Sequence, residues 1–191
     1  MRVITGSARG RKLITVEGTE IVRPTTDRVK EAIFSAIQFE IPGAVVLDLF
    51  AGSGQLGIEA LSRGAAECHF VDNAAPSIKA VRQNIEHCGF GDIARVHSMP
   101  FSAFLKSARD GEFDIALLDP PYERKIIQKA LPILAPKMSE NGVIVCEHES
   151  GCVLPQKIDN DIENGFELVK LLRHGSISLS IYRKASEERS E

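Results

Sequence analysis

No apolar run in this chain of 191 residues approaches the roughly eighteen needed to cross a bilayer, and its first residues form no apolar leader. The expectation is a protein of the cytoplasm with no membrane partner. Cysteine is sparse. Cys68, Cys88, Cys146 and Cys152 are scattered through apolar or helical stretches, which suits reduced thiols better than a disulfide framework. Cys146, His148 and Cys152 stand close enough to be weighed as zinc ligands. Cys146 closes an apolar strand, however, and no fourth ligand is near in sequence, so no metal is expected. Internal repeats and low-complexity stretches are absent. So is the large positive charge of a protein that binds nucleic acid over its whole surface, because 23 basic and 26 acidic residues leave a net charge of −3. The charge is unevenly placed, however. Residues 1–30 hold seven basic and three acidic residues, a net of +4, and the remainder carries −7. A basic end on an acidic body is either a phosphate footprint or a solvated face without a task.

The apolar content of 43% supports a core, and the length fits one domain with a small appendage. Val3 to Thr5 and Leu13 to Val16 read as two short strands of a hairpin around Gly6–Gly10. A helix starts near Thr26 and carries Val29, Ile33, Phe34 and Ile37 on one face. Beyond Pro42-Gly43, strands near 45–49, 67–71, 94–97, 114–118 and 142–146 alternate with helices near 55–63, 75–87, 101–106 and 125–134. Alternation of this kind predicts an α/β fold, a mostly parallel sheet covered on both faces. Strands near 166–172 and 176–182 are separated only by Arg173-His174-Gly175, too short for a parallel crossover, so they form an antiparallel hairpin at one edge. The expected divisions are an extension over residues 1–40, a main domain over 41–184 and a polar tail over 185–191.

Two stretches carry chemistry. In Asp119-Pro120-Pro121-Tyr122, two prolines follow the apolar run Ile115–Leu118. Each proline lacks an N–H and has a fixed φ, so the strand must end there. An acid, a rigid run of carbonyls and an aromatic ring suit a flat molecule bearing an exocyclic NH2 group. Asp119 and the Pro120 carbonyl can accept its two hydrogens, and Tyr122 can stack on its face. In the second stretch, Val45–Leu49 runs into Phe50-Ala51-Gly52-Ser53-Gly54-Gln55-Leu56-Gly57, where Gly52, Gly54 and Gly57 match the dinucleotide fingerprint. Asp72, at the end of the next strand, is placed to hold ribose hydroxyls. These features alone do not separate a nicotinamide enzyme from one using S-adenosylmethionine, since both ligands carry an adenosine ribose. Asp48 tips the choice toward S-adenosylmethionine. Its carboxylate would repel a pyrophosphate but favours the ammonium and sulfonium of S-adenosylmethionine. Asp48 can at the same time accept loop N–H groups.

Asp48 to Gly57, Asp72 and Asp119 to Tyr122 together resemble the amino-group methyltransferases that act on bases or amides. The run Arg23-Pro24-Thr25-Thr26-Asp27-Arg28-Val29-Lys30-Glu31-Ala32-Ile33-Phe34, with Gly10-Arg11-Lys12-Leu13, narrows the likeness. Over Met1 to about Arg183 the chain resembles the bacterial small-subunit ribosomal RNA guanine-N2 methyltransferases, the RsmD family. The resemblance implies a Rossmann-like methyltransferase sheet, S-adenosylmethionine as cofactor, and ribosomal RNA or an assembled small subunit as partner to a monomer. It implies cofactor contacts from Asp48, Ala51, Gly52, Ser53, Gly54, Asp72, Asn73, Ser98, Met99 and Asp119, and an active site of Asp119, Pro120, Pro121 and Tyr122. It also assigns Arg2, Arg9, Arg11, Lys12, Arg23 and Arg28 to RNA phosphates. Alternatives are an adenine-N6 DNA or glutamine-N5 protein methyltransferase, a nicotinamide-dependent oxidoreductase, and an RNA-binding protein without catalysis.

Overall fold

The computed structural model describes residues 1–16, 27–121, 125–158 and 165–184. Strands β1 (Val45–Asp48), β2 (Glu67–Asp72), β3 (Ala94–Ser98), β4 (Phe113–Leu118) and β5 (Met138–Glu149) are joined in parallel by helices. The crossover helices are α2 (Gln55–Ser62), α3 (Ala75–Cys88), α4 (Phe101–Ser107) and α5 (Ile126–Leu134), and α1 (Asp27–Ala36) precedes β1. Strands β6 (Lys157–Ile158), β7 (Phe166–His174) and β8 (Ile177–Lys184) complete one sheet in the order β3-β2-β1-β4-β5-β8-β7-β6. The doubly covered, mostly parallel sheet expected from the alternation is what forms.

Side chains of the central strands alternate between two cores, as a two-residue period requires. Val46, Cys68, Phe70, Ile115, Leu117, Val143 and Val145 meet the apolar faces of α1, α2 and α3. Leu47, Val71, Ala116, Leu118, Ile144 and Cys146 meet α4 and α5 on the other side. A strand buried on both faces reads as a continuous apolar run, and this is why β1 and β4 were plain in the sequence.

Three features depart from expectation. The hairpin of β7 and β8 is antiparallel as predicted, but β8 lies inside the sheet, paired to β5 as well as β7. The outer edge is β6, only two residues long and too short to show a pattern. Strand β5 outruns its apolar segment at both ends. Its register with β8 continues to Glu149 opposite Ile177, burying Glu147 and His148 on the way. The predicted N-terminal hairpin reduces to one antiparallel bridge, Arg2 to Lys12. The amides of Val3, Gly10 and Leu13 still donate across it, but those of Ile4 and Thr5 donate to the Glu59 carboxylate at 2.8 and 3.0 Å, and those of Ser7 and Ala8 donate to Ser62. Gly6 permits this docking. Its φ is +89°, and a Cβ there would lie 1.7 Å from the Ser62 carbonyl oxygen.

Glu59 is fully buried on α2 and faces two cations, Lys30 Nζ of α1 at 3.3 Å and Arg63 Nε at 2.9 Å. Lys30 is itself fully buried, and its pKa is lowered, chiefly by burial, against the opposing pull of Glu59. Removing one partner of such a pair leaves an uncompensated buried charge and costs about 3–5 kcal/mol. Glu59→Ala is therefore expected to lose at least that much unfolding free energy in urea, since Arg63 and the Ile4 and Thr5 amides lose their acceptor as well, whereas the doubly altered Glu59→Gln/Lys30→Met chain, which keeps an acceptor for the amides, should lose much less. Equal losses in the two chains would show that the pair is not the source of the stability.

Candidate active site

The carboxyl ends of β1, β2, β3 and β4 lie side by side, because the four strands are adjacent and parallel. Register alone therefore brings Asp48, Asp72, Ser98 and Asp119 to one end of the sheet. The same edge is where open parallel sheets bind ligands.

The glycine loop crosses this edge. Gly52 has φ +55° and Gly54 φ +78°, both in the left-handed region that glycine adopts without strain. Space over Gly52 is open: a Cβ built there would meet nothing within 4 Å. Gly57 has the opposite role, since a Cβ there would lie 2.3 Å from the Phe70 ring. The missing side chain lets α2 settle against β2, and the Gly57 N–H then donates to Asp48 Oδ2 at 3.0 Å.

Asp48 is 1% exposed, and its other oxygen, Oδ1, is buried without a hydrogen-bond partner. Burial pushes its pKa up to about 7, the Gly57 bond pulls the other way, and the negative charges of Asp119 and Asp72 add to the rise. Asp72 braces the loop, with Oδ2 accepting from the Gly52 N–H at 2.9 Å and Oδ1 from the Ala74 N–H at 2.8 Å. An ionised carboxylate has about four acceptor positions, so two bonds leave capacity for a ligand. Its backbone carbonyl accepts from the Met99 N–H at 3.0 Å, which ties the third strand's loop to the second's.

The other sequence-derived residues fall as follows. Ala51 and Ser53 are buried in the loop, Ala51 N–H donating to the Val71 carbonyl and the Ser53 hydroxyl lying 3.6 Å from Met1 Sδ. Asn73 and Ser98 are exposed, and Met99 is half-buried against the α4 side of the core. Asp119 is half-buried, Pro120 buried and Pro121 exposed. Tyr122 and Arg23 lie outside the described residues. His97, which the sequence places beside Ser98, faces away from the site. It stacks on His69 at 5.2 Å and packs on Phe104 at 4.6 Å, where burial and His69 hold its pKa below the usual value.

On the N-terminal extension, Arg2, Arg9, Arg11, Lys12 and Arg28 are all exposed. Arg2 pairs with Asp27 at 3.3 Å, and the Arg11 guanidinium donates to the His87 carbonyl at the end of α3. Cys146 is buried, and both ring nitrogens of His148 are engaged, by Ser180 Oγ at 2.8 Å and the Glu149 carbonyl at 2.9 Å. Among the described residues, no group of three His, Cys, Asp or Glu side chains gathers to hold a metal, and no helix is long and apolar enough to cross a membrane.

Two features of the site escaped the sequence reading. Gln55, the first residue of α2, has a buried Oε1 without a hydrogen-bond partner. Its position just after Gly54 was the available signal. Phe50 and Phe101 pack with ring centroids 5.3 Å apart and join the loop after β1 to the start of α4. No short-range pattern links residues so far apart.

Residues 1–183 match the family described as Conserved hypothetical protein 95. YlbH of Bacillus subtilis (strain 168) is 38% identical, over 96% of this chain and 99% of its own length. Ribosomal RNA small subunit methyltransferase D of Escherichia coli (strain K12) is 31% identical, over 100% of this chain and 93% of its own. The solved structure of yhhF from Escherichia coli superposes with a TM-score of 0.81 and 30% identity, covering 98% of this chain and 99% of that one.

The Asp48 geometry generates a pH signature. The folded chain holds this proton up to about pH 7, while the unfolded chain releases it near 3.8. Folding thus takes up a proton between those values, so the contribution of Asp48 to stability falls as pH rises from about 4 to 7. Thermal midpoints of wild type and Asp48→Asn, measured across pH 4–8, are expected to diverge in favour of the neutral variant as pH rises. A constant difference across the range would place the pKa of Asp48 outside that window.

Proposed function

The chain belongs to the RsmD family of bacterial small-subunit ribosomal RNA methyltransferases, and from that premise we propose that it uses S-adenosylmethionine to methylate the exocyclic N2 amine of a guanine in small-subunit ribosomal RNA. The observation that carries the reading is the buried acceptor pair beside the glycine loop. Asp48 Oδ1 and Gln55 Oε1 are both out of water and both unsatisfied. Such atoms cost about 1–3 kcal/mol each until a donor arrives, and a charged donor suits them best. An amino acid ammonium is such a donor. A pyrophosphate has no hydrogens to give and would be repelled by Asp48, which disfavours the nicotinamide alternative.

The remaining contacts follow the site outward. Asp72 takes the ribose hydroxyls with its unused lone pairs, Asn73 adds a polar contact, and Ser98 and Met99 border the adenine. Open space over Gly52 lets a ligand approach the backbone. The bound cofactor supplies a methyl group on a cationic sulfur, an electrophile that needs no further activation.

The work of this chain is to present the amine. A guanine amine is a poor nucleophile because its lone pair is delocalised into the ring. Hydrogen bonds from its two hydrogens to Asp119 and the Pro120 carbonyl pull the nitrogen toward tetrahedral geometry and free that lone pair. Tyr122 stacks on the base. The nitrogen gains the methyl carbon and loses one proton, which Asp119 accepts directly or through water. Orienting the two reactants supplies about 7–11 kcal/mol of the barrier reduction. A base in a loop is cheaper to present than a paired one. Arg9, Lys12 and Arg28, with Arg2, Arg11 and Arg23, position the RNA through its phosphates.

Mass spectrometry of ribosomal RNA from a strain lacking this protein tests the reading, and one N2-methylguanine is expected to be missing from the small-subunit RNA. An unchanged small-subunit RNA, with the loss in DNA or protein instead, would move the chain to another amine substrate. Asp119→Ala is expected to lower turnover at least about a hundredfold with little change in cofactor affinity. Asp72→Ala should instead weaken the cofactor by about tenfold or more, losing a charge-assisted hydrogen bond and its brace on Gly52. Calorimetry and single-turnover rates on both variants separate the two roles, and a reversed pattern would exchange them.

A further inference from the structure

The N-terminal extension and the cofactor loop share one buried side chain. Asn84 lies in the third turn of α3 and is 0% exposed. Its Nδ2 donates to two carbonyls, that of Ile14 in the extension and that of Ser53 in the glycine loop, both at 2.9 Å. Its Oδ1 accepts the Ile14 N–H at 2.8 Å. The side-chain amide thus pairs with both polar groups of residue 14, much as a neighbouring strand would, and spends its second hydrogen on the loop between Gly52 and Gly54. A second, weaker thread runs beside it, with the Ser53 hydroxyl against Met1 Sδ at 3.6 Å and the Met1 carbonyl accepting from the Leu13 N–H at 3.1 Å.

Asn84 makes all three of these bonds outside its own helix, to two different segments. The two segments sit at different tasks. On one side is the basic extension that carries Arg9, Arg11 and Lys12. On the other is the loop whose Gly52 amide is held by Asp72 and whose Gly57 amide is held by Asp48. Neither segment can shift without straining the same amide group, because both of its hydrogens are committed and a buried unpaired one is costly.

We propose that Asn84 is a positioning residue that couples RNA engagement by the N-terminal extension to cofactor binding at the glycine loop. The inference rests on the functional reading above. When RNA fixes the extension, Asn84 holds Ser53 in the geometry that accepts the cofactor, and by linkage the bound cofactor firms the extension for RNA to the same degree. Coupling of this kind amounts to about 5- to 150-fold in affinity.

The test uses the full chain, S-adenosylhomocysteine as a ligand that cannot react, and small ribosomal subunits from a strain lacking this protein. Calorimetry gives the affinity for S-adenosylhomocysteine with and without saturating subunits. For the unaltered chain a ratio of about fivefold or more is expected. Asn84→Ala should bring that ratio close to one. Because a buried substitution can also disturb α3, a second variant acts from the exposed side and leaves α3 intact: Ile14→Pro removes the N–H that Asn84 accepts, together with the Ile14 side chain and the φ freedom of that residue. It should leave S-adenosylhomocysteine affinity of the free chain unchanged and lower the ratio. It should also weaken subunit binding when S-adenosylhomocysteine is present but not when it is absent. Equal weakening in both conditions would mean that Asn84 merely supports the extension, and the proposal falls. It falls equally if the unaltered chain binds both partners independently. Failure of the unaltered chain to bind either partner at all strikes the functional reading itself, which is a different result from independent binding of both.

Discussion

Helix α2 can lie against strand β2 only because residue 57 has no side chain. Any Cβ there would enter the Phe70 ring. This one close approach sets the position of everything that α2 carries. At its first turn the Gly57 amide reaches back to Asp48 and holds that carboxylate at the end of β1. Two residues on, Glu59 points away from the sheet toward Lys30 and the amides of Ile4 and Thr5. At its end, Ser62 takes the Ala8 N–H and gives its hydroxyl hydrogen to the Thr5 carbonyl. A single short helix of eight residues therefore orients the glycine loop at one end and seats the N-terminal extension at the other. The extension is part of the same core as α1, α2 and α3, contributing Val3, Ala8 and Leu13 to it.

Three carboxylates at one sheet edge present an electrostatic problem. Asp48, Asp72 and Asp119 repel one another, and Asp48 also loses hydration. A structural core would have no reason to keep Asp48, since a buried carboxyl with an unmatched oxygen is costly whether it is protonated or ionised. The fold answers only one oxygen with an N–H and leaves the other unmatched. Asp72 is treated differently, with both of its oxygens bonded to backbone amides of the flanking loops. One acid is thus braced and the other is held ready. That asymmetry is what an incoming cation with hydrogens to donate would relieve, and it distinguishes a ligand site from a turn that happens to be acidic.

The sequence made the central strands legible because burial on both faces writes itself as unbroken Val, Ile and Leu, and the glycine loop legible because positive φ demands glycine at Gly52 and Gly54. The pairing of Asp72 with the Gly52 amide was not legible, since a spacing of twenty residues fits a ribose acid and a loop brace equally well. The sequence pattern shows strand β5 shorter than it is, because Ser139, Glu140 and Asn141 at its start, and Glu147 and His148 near its end, look like loop until a neighbouring strand is there to satisfy them. The N-terminal hairpin is shorter than its pattern suggests for a related reason. Alternating short apolar runs suggest two strands pairing along their length, whereas the amides of Ile4, Thr5 and Ala8 pair with side chains on α2 that stand more than fifty positions away. Long-range side-chain partners leave no local pattern, and Asn84 is hidden in the same way within an unremarkable amphipathic helix.

The charge of the extension shows why a count is weaker than a placement. By composition, residues 1–30 carry +4. Lys30 belongs to the core, where Glu59 faces it and solvent does not. Arg2 is partly answered by Asp27, though that pair is exposed and holds the guanidinium only loosely. Arg9, Arg11, Lys12 and Arg28 remain in water, and Arg11 is aimed by its bond to the end of α3, where helix carbonyls favour a cation. The surface offered to a polyanion is therefore smaller than the sequence suggests but better fixed. Arg9, Arg11 and Lys12 rest on a loop that is bolted to α2 through Glu59 and Ser62 and to α3 through Asn84, and Arg28 stands on α1. On the function proposed, a fixed array of this kind suits positioning a phosphate chain relative to the sheet edge better than a mobile basic tail of the same charge would.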